Sequence, residues 1–181
     1  MKKYVVLNIL IGILLLISIY FHKKYVLDYD FTKTKKIYSK EDKIKKIEYE
    51  SVDIYIPDIT FSKLIPIRTK IEKTQNITKK IRIIYREIVD STQNLPQTFL
   101  DKNIVLKNIF IEKEILYLNF NKKIVENIKN EKQELLIIYS LVNTFTSIEG
   151  IEKVKFLIEN EEKEKLRFYN ITNYFEKDLT I

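Results

Sequence analysis

The chain has 181 residues, a formal net charge of +7, one histidine and no cysteine. Without thiols there is no disulfide framework, thiolate metal site or lipidated-cysteine anchor, and a lone His22 leaves no Ser-His-Asp triad and no histidine-rich metal site. Nearly all the positive charge is lysine, with arginine only at positions 68, 82, 86 and 167 and acids interspersed, which describes a solvated surface and not a nucleic-acid interface.

Residues 1–3 form a short flank carrying Lys2 and Lys3, and residues 4–21 form an apolar run broken only by Asn8, Gly12 and Ser18. As a helix that run reaches about 27 Å, the thickness of a bilayer's hydrocarbon core. Ile19, Tyr20 and Phe21 stand where a cleaved signal peptide needs small residues, so residues 4–21 read as an uncleaved, single-pass signal anchor in contact with membrane lipid. Lysines flank it on both sides, and charge alone leaves its orientation open. Residues 22–50 mix charges and tyrosines without a period and read as a stalk; residues 51–181 are long enough for one domain with its own core.

In that domain Val52, Ile54 and Ile56 alternate with Asp53 and Tyr55, the pattern of a half-buried strand. A second strand is predicted over residues 64–68, at an edge because Pro66 has no N–H to donate. Ile77, Ile81, Ile84, Tyr85 and Ile88 recur at helical spacing and predict a helix over 77–89, whose far face carries Lys79, Arg82 and Arg86 around Ile83. Residues 90–103 read as an ordered loop held by Leu95, Phe99 and Leu100. Strands over 104–111 and 114–120 form a hairpin around Glu112 and Lys113, followed by a short helix near 124–128.

Residues 135–148 hold no charge at all, in a chain whose charged fraction is 31%, so this helix is withdrawn from water. Leu135, Ile138, Val142 and Phe145 form a broad apolar arc; Ser140, Asn143, Thr144 and Ser147 make the opposite arc small, polar and neutral. That polar arc has two readings: it packs inside the domain under the loop at Leu95 to Leu100, or it is a docking surface for a partner. Gly150 is expected to cap the helix, and a strand over 151–158 follows. The whole is an α+β fold, a small mixed sheet under two main helices in the order helix, strand, strand, helix, strand, preceded by a strand pair.

No catalytic constellation emerges. Ser62 and Lys63 are strand neighbours that point apart, the carboxylate pairs Asp53 with Asp58 and Glu112 with Glu114 are of a kind expected in any acidic chain, and one glycine in the domain provides no phosphate-cradling loop. The expectation is therefore no enzyme, no metal and no cofactor. Partner-binding candidates are Ser140, Asn143, Thr144 and Ser147 on one helix, and Lys79, Arg82, Ile83 and Arg86 on the other.

Leu141-Val142-Asn143-Thr144-Phe145-Thr146-Ser147-Ile148-Glu149-Gly150, running into Val154-Lys155-Phe156-Leu157-Ile158, resembles the signature of the GerM-type (GerMN) domain of bacterial sporulation and germination proteins. Val52 to Pro57 with Leu64 to Arg68 is similar to the family's opening strand pair, and the tail from Tyr169 to its closing segment. The chain departs from the family's usual turns at Asp90-Ser91-Thr92 and Asn160-Glu161-Glu162. The resemblance implies an extracytoplasmic domain on the outer side of the cytoplasmic membrane, without catalytic residues to carry over. It implies a binding or assembly module with protein partners or copies of itself; the alternative is a protein that acts on peptidoglycan or binds a wall polymer.

Overall fold

The computed structural model describes residues 14–20 and 47–181. Residues 14–20 are helical and exposed, and among the described residues no helix is long and apolar enough to cross a membrane. The rest of the predicted anchor, His22 and most of the predicted stalk lie outside the described residues. Residues Ile47–Ile181 form a compact unit of their own, beginning a few residues before the predicted boundary.

That unit runs β1 (Tyr49–Pro57), β2 (Leu64–Glu72), α1 (Ile77–Ser91), β3 (Leu106–Glu112), β4 (Ile115–Phe120), α2 (Lys123–Asn127), α3 (Glu131–Phe145), β5 (Lys153–Ile158) and β6 (Phe175–Glu176). The strands form two sheets. β1 and β2 pair antiparallel on their own, and the second sheet has the order β3-β4-β5-β6, with β4 and β5 parallel and the outer pairs antiparallel. The α+β class is as expected, and the opening strand pair forms a sheet of its own.

Local chemistry explains the elements. β2 continues to Glu72 because Thr69 and Ile71 extend the alternation past Arg68, and Ile71 is buried. Asn76 and Asn130 each accept an N–H three residues on, from Lys79 and Gln133 at 2.9 Å, which caps α1 and α3. The β3–β4 hairpin turns at Lys113 and Glu114, both in the left-handed region that a tight two-residue turn requires. Between β1 and β2 the Asp58 carboxylate accepts from the Ser62 hydroxyl and N–H and from the Thr60 hydroxyl, which draws its pKa down to about 2.

α3 packs against β1 and β2 and also against β5 and β6, so it is buried almost all round. This explains the charge-free run that begins at Leu135 better than a simple two-faced helix would. It starts at Glu131 and ends at Phe145, earlier at both ends than the charge-free window suggested. Gly150 does adopt the left-handed conformation, φ +81°, but in the turn that enters β5 and not as the helix cap, which is Thr146. One hydrophobic core joins Ile54 and Ile71 to Ile84, Ile88, Phe120, Phe145 and Phe156. Phe99 and Leu100 enter it fully and Leu95 packs on its edge, so the loop between α1 and β3 is ordered as predicted.

Candidate functional site

The polar arc of α3 is committed to the domain's own backbone. Thr144 Oγ1 accepts the Tyr55 N–H at 2.9 Å, and the Ser140 hydroxyl donates to the Tyr55 carbonyl at 2.5 Å, so two side chains stand where a neighbouring strand would be. Asn143 exchanges both its amide groups with Asp178, donating to the carbonyl at 2.7 Å and accepting the N–H at 2.9 Å, and so pins the C-terminal tail. Ser140, Asn143 and Thr144 are at most 2% exposed. The docking reading therefore does not hold for these three, and the covering elements are β1 and the tail, not the loop at Leu95 to Leu100. Ser147 alone is exposed; its hydroxyl donates to the Asn143 carbonyl and accepts from Lys177.

Replacing Thr144 by valine keeps the shape and removes the acceptor, leaving the Tyr55 N–H without a partner. The expected loss is about 1–2 kcal/mol, read as a lower denaturation midpoint with an unchanged slope.

The far face of α1 is also partly structural. The Arg82 guanidinium donates to the carbonyls of Leu106 and Lys107 at 2.6 and 2.9 Å and so ties α1 to the start of β3. Lys79 pairs with Glu72 at 3.0 Å, and Ile83 is buried because α1 is flanked by β3 as well as by the β1–β2 pair. Ile83 is thus a core residue and not the centre of an exposed patch. Arg86 is exposed.

The carboxylate pairs do not assemble. Asp53 is held by Arg68 through two bonds of 2.9 and 3.0 Å, and this hydrogen bonding lowers its pKa. Asp58 belongs to its turn, and the Ser62 hydroxyl donates to Asp58 instead of meeting Lys63. Among the described residues no group of three metal-binding side chains comes together, and no buried side-chain polar atom lacks a partner.

Sequence reasoning missed two buried charges. Glu134 is fully buried in α3, and its carboxylate accepts the N–H groups of Arg167, Phe168 and Tyr169 at 3.1, 2.7 and 3.0 Å. Lys155, 3% exposed, donates to the Thr172 carbonyl and lies 3.4 Å from Glu162. Both hold the long segment between β5 and β6 onto the domain. Beside Lys155, Phe110 and Tyr117 stack at 4.3 Å and Tyr174 meets Tyr117 edge-on at 6.4 Å, a row of rings on the outer face of the main sheet.

Among the described residues there are also concave features. A smaller one, of about 230 Å³, lies between Asp101, Asn103 and α2. A larger cavity, of about 400 Å³, opens between the start of α1 and the end of α3, with Glu50 to Asp53 of β1 as its floor. Lys80 and Glu50 pair across it at 2.7 Å.

These features define a small α+β module whose buried polar groups serve its own architecture. The chain belongs to the Germane family, described as sporulation and spore germination, which it matches over residues 53–164. In fold it is similar to the first GerMN domain of the sporulation protein GerM from Bacillus subtilis, with TM-score 0.53, 14% identity and coverage of 73% of this chain and 99% of that one. It is similar at the same TM-score to the tandem GerMN domains of that protein, with 17% identity over 68% of this chain; the chain spans 44% of the tandem's length. A candidate lipoprotein from Clostridium perfringens aligns at TM-score 0.48 and 18% identity, over 71% of this chain and 88% of that one. No curated protein matches the chain.

Proposed function

We propose that this chain is a membrane-anchored, extracytoplasmic binding and assembly module of the cell envelope that serves sporulation or germination. The observation that carries this reading is the family match, which spans most of the compact unit. Residues 4–21 hold the chain in the cytoplasmic membrane, the residues between that anchor and Ile47 are the tether, and the compact unit Ile47–Ile181 works on the outer side. A solvated surface and an interior whose polar groups bind one another suit a domain that recognises and does not transform.

A second reading, attachment to a wall glycan, is favoured by the ring row of Phe110, Tyr117 and Tyr174, since flat aromatic surfaces stack on sugars; Phe110 and Tyr174 are 46% and 49% exposed.

One fractionation tests both. Tagged full-length chain should stay in the membrane pellet after alkaline carbonate extraction, co-purify with a specific envelope protein from mild detergent, and not be retained by purified cell-wall sacculi. Release of a soluble product beginning near His22 would remove the anchor. Retention by sacculi that disappears in the Phe110→Ser, Tyr174→Ser double variant would replace the assembly reading with the glycan one.

A further inference from the structure

The cavity floor is the open half of a strand edge. In an antiparallel pair, successive residues turn their N–H and C=O groups alternately toward the partner strand and away from it. Tyr55, opposite Pro66, faces away from β2 and is satisfied by Ser140 and Thr144 of α3. The bond from the Lys73 N–H to the Glu48 carbonyl, 2.9 Å, fixes the same phase from the other end, with even-numbered residues of β1 facing β2. Ser51 and Asp53 therefore point their backbone groups the same way as Tyr55. No hydroxyl of α3 reaches them, because the helix ends at Phe145, and their edge opens into the cavity of about 400 Å³. Ser51 is exposed and Asp53 half-buried.

We propose that this edge docks one extended strand of a different protein, which pairs with Ser51 and Asp53 between the ends of α1 and α3. The proposal rests on the reading of the domain as a binding module and names its surface. Pairing with both residues takes three residues of strand, about 7 Å. Ile77 and Ile148, both accessible, line the cavity and favour an apolar side chain on the incoming strand. Glu50 and Asp53 are already neutralised by Lys80 and Arg68. Glu149 has no cation partner among the described residues, and it follows a helix whose last turn carries no base, so the strand carries a lysine or arginine there. A second copy of this chain is a poor occupant. Its β2 edge is interrupted by Pro66 and closed at Leu64 by the Ile181 carbonyl, Arg82 occupies the first two carbonyls of its β3 edge, and β6 has two residues.

The test is photo-crosslinking in cells, on the full chain, with benzoylphenylalanine in place of Gln75 at the cavity wall or of Arg86 on the opposite side of α1. From Gln75 the expected product is a cross-link to one basic segment of a different polypeptide, located by sequencing. Ser51→Pro removes one outward N–H and no bond to β2, as Pro66 already does on the facing strand; it should cut the yield about tenfold at unchanged melting temperature. Should that variant melt early, Glu149→Lys, which breaks no hydrogen bond, carries the comparison with a several-fold loss expected. Full yield in the variant that folds normally, or a cross-link that maps to a second copy of this chain, would overturn the proposal. Cross-links from Arg86 alone would overturn this site and leave the binding-module reading standing, whereas no cross-link from either position together with no co-purifying protein would overturn both.

Discussion

Truncating Phe145 to alanine is expected to destabilise the folded unit by about 3–5 kcal/mol, with a fall in melting temperature of about 10–20 °C. The ring is fully buried in the last turn of α3, and that helix is packed on both the β1–β2 pair and the main sheet. With layers on both flanks the surroundings have little freedom to collapse into the space left behind, so the cavity cost adds to the lost burial. Leu179→Ala, at a position 65% exposed, is the matched control and should change the melting temperature by no more than a degree or two. A Phe145→Ala protein that melts with the control would show that α3 is not the centre of the core.

The second large effect is expected at Glu134. Its carboxylate is buried, and three successive backbone N–H groups converge on it, while Arg167 also donates to the Ile128 carbonyl at 2.6 Å. Glu134→Ala removes the acceptor of all three bonds and leaves a hole. The expected loss is about 3 kcal/mol, since hydrogen bonds to a charged acceptor are stronger than neutral ones and part of the freed donors regains water at the exposed loop. Amide exchange separates this from a general loosening: the Arg167 to Tyr169 amides should lose protection far more than those of β4. Equal loss across both segments would mean that Glu134 acts through packing and not as the loop's anchor.

Much of the architecture was legible because the sequence patterns are local. The alternation of Val52, Ile54 and Ile56, the helical spacing of Ile81, Ile84, Tyr85 and Ile88, and the short gap between β3 and β4 each report a burial face from neighbours along the chain. What stayed hidden depends on partners remote in sequence. Arg82 reads as a surface cation until β3 carbonyls 24 and 25 residues away are placed beside it. Glu134 looks like one more acid at the start of a helix, and only the fold shows that residues 167–169 turn their N–H groups toward it. The neutrality of Ser140, Asn143 and Thr144 did carry a signal. It announced contact with something intolerant of charge, but it could not distinguish an outside partner from the domain's own β1 and tail.

The bonds from α3 to Tyr55 also set an order of events during synthesis. The hairpin of β1 and β2 can close as soon as it emerges, but the groups that satisfy Tyr55 lie 85 and 89 residues further along. At ordinary translation rates of about 5–20 residues per second, that interval is roughly 4–18 s in which the whole length of β1 shows an unsealed edge. Chaperone capture and misassociation of the nascent chain should concentrate in that window, and ribosome-bound intermediates that end just before Ser140 are the ones in which it stays open.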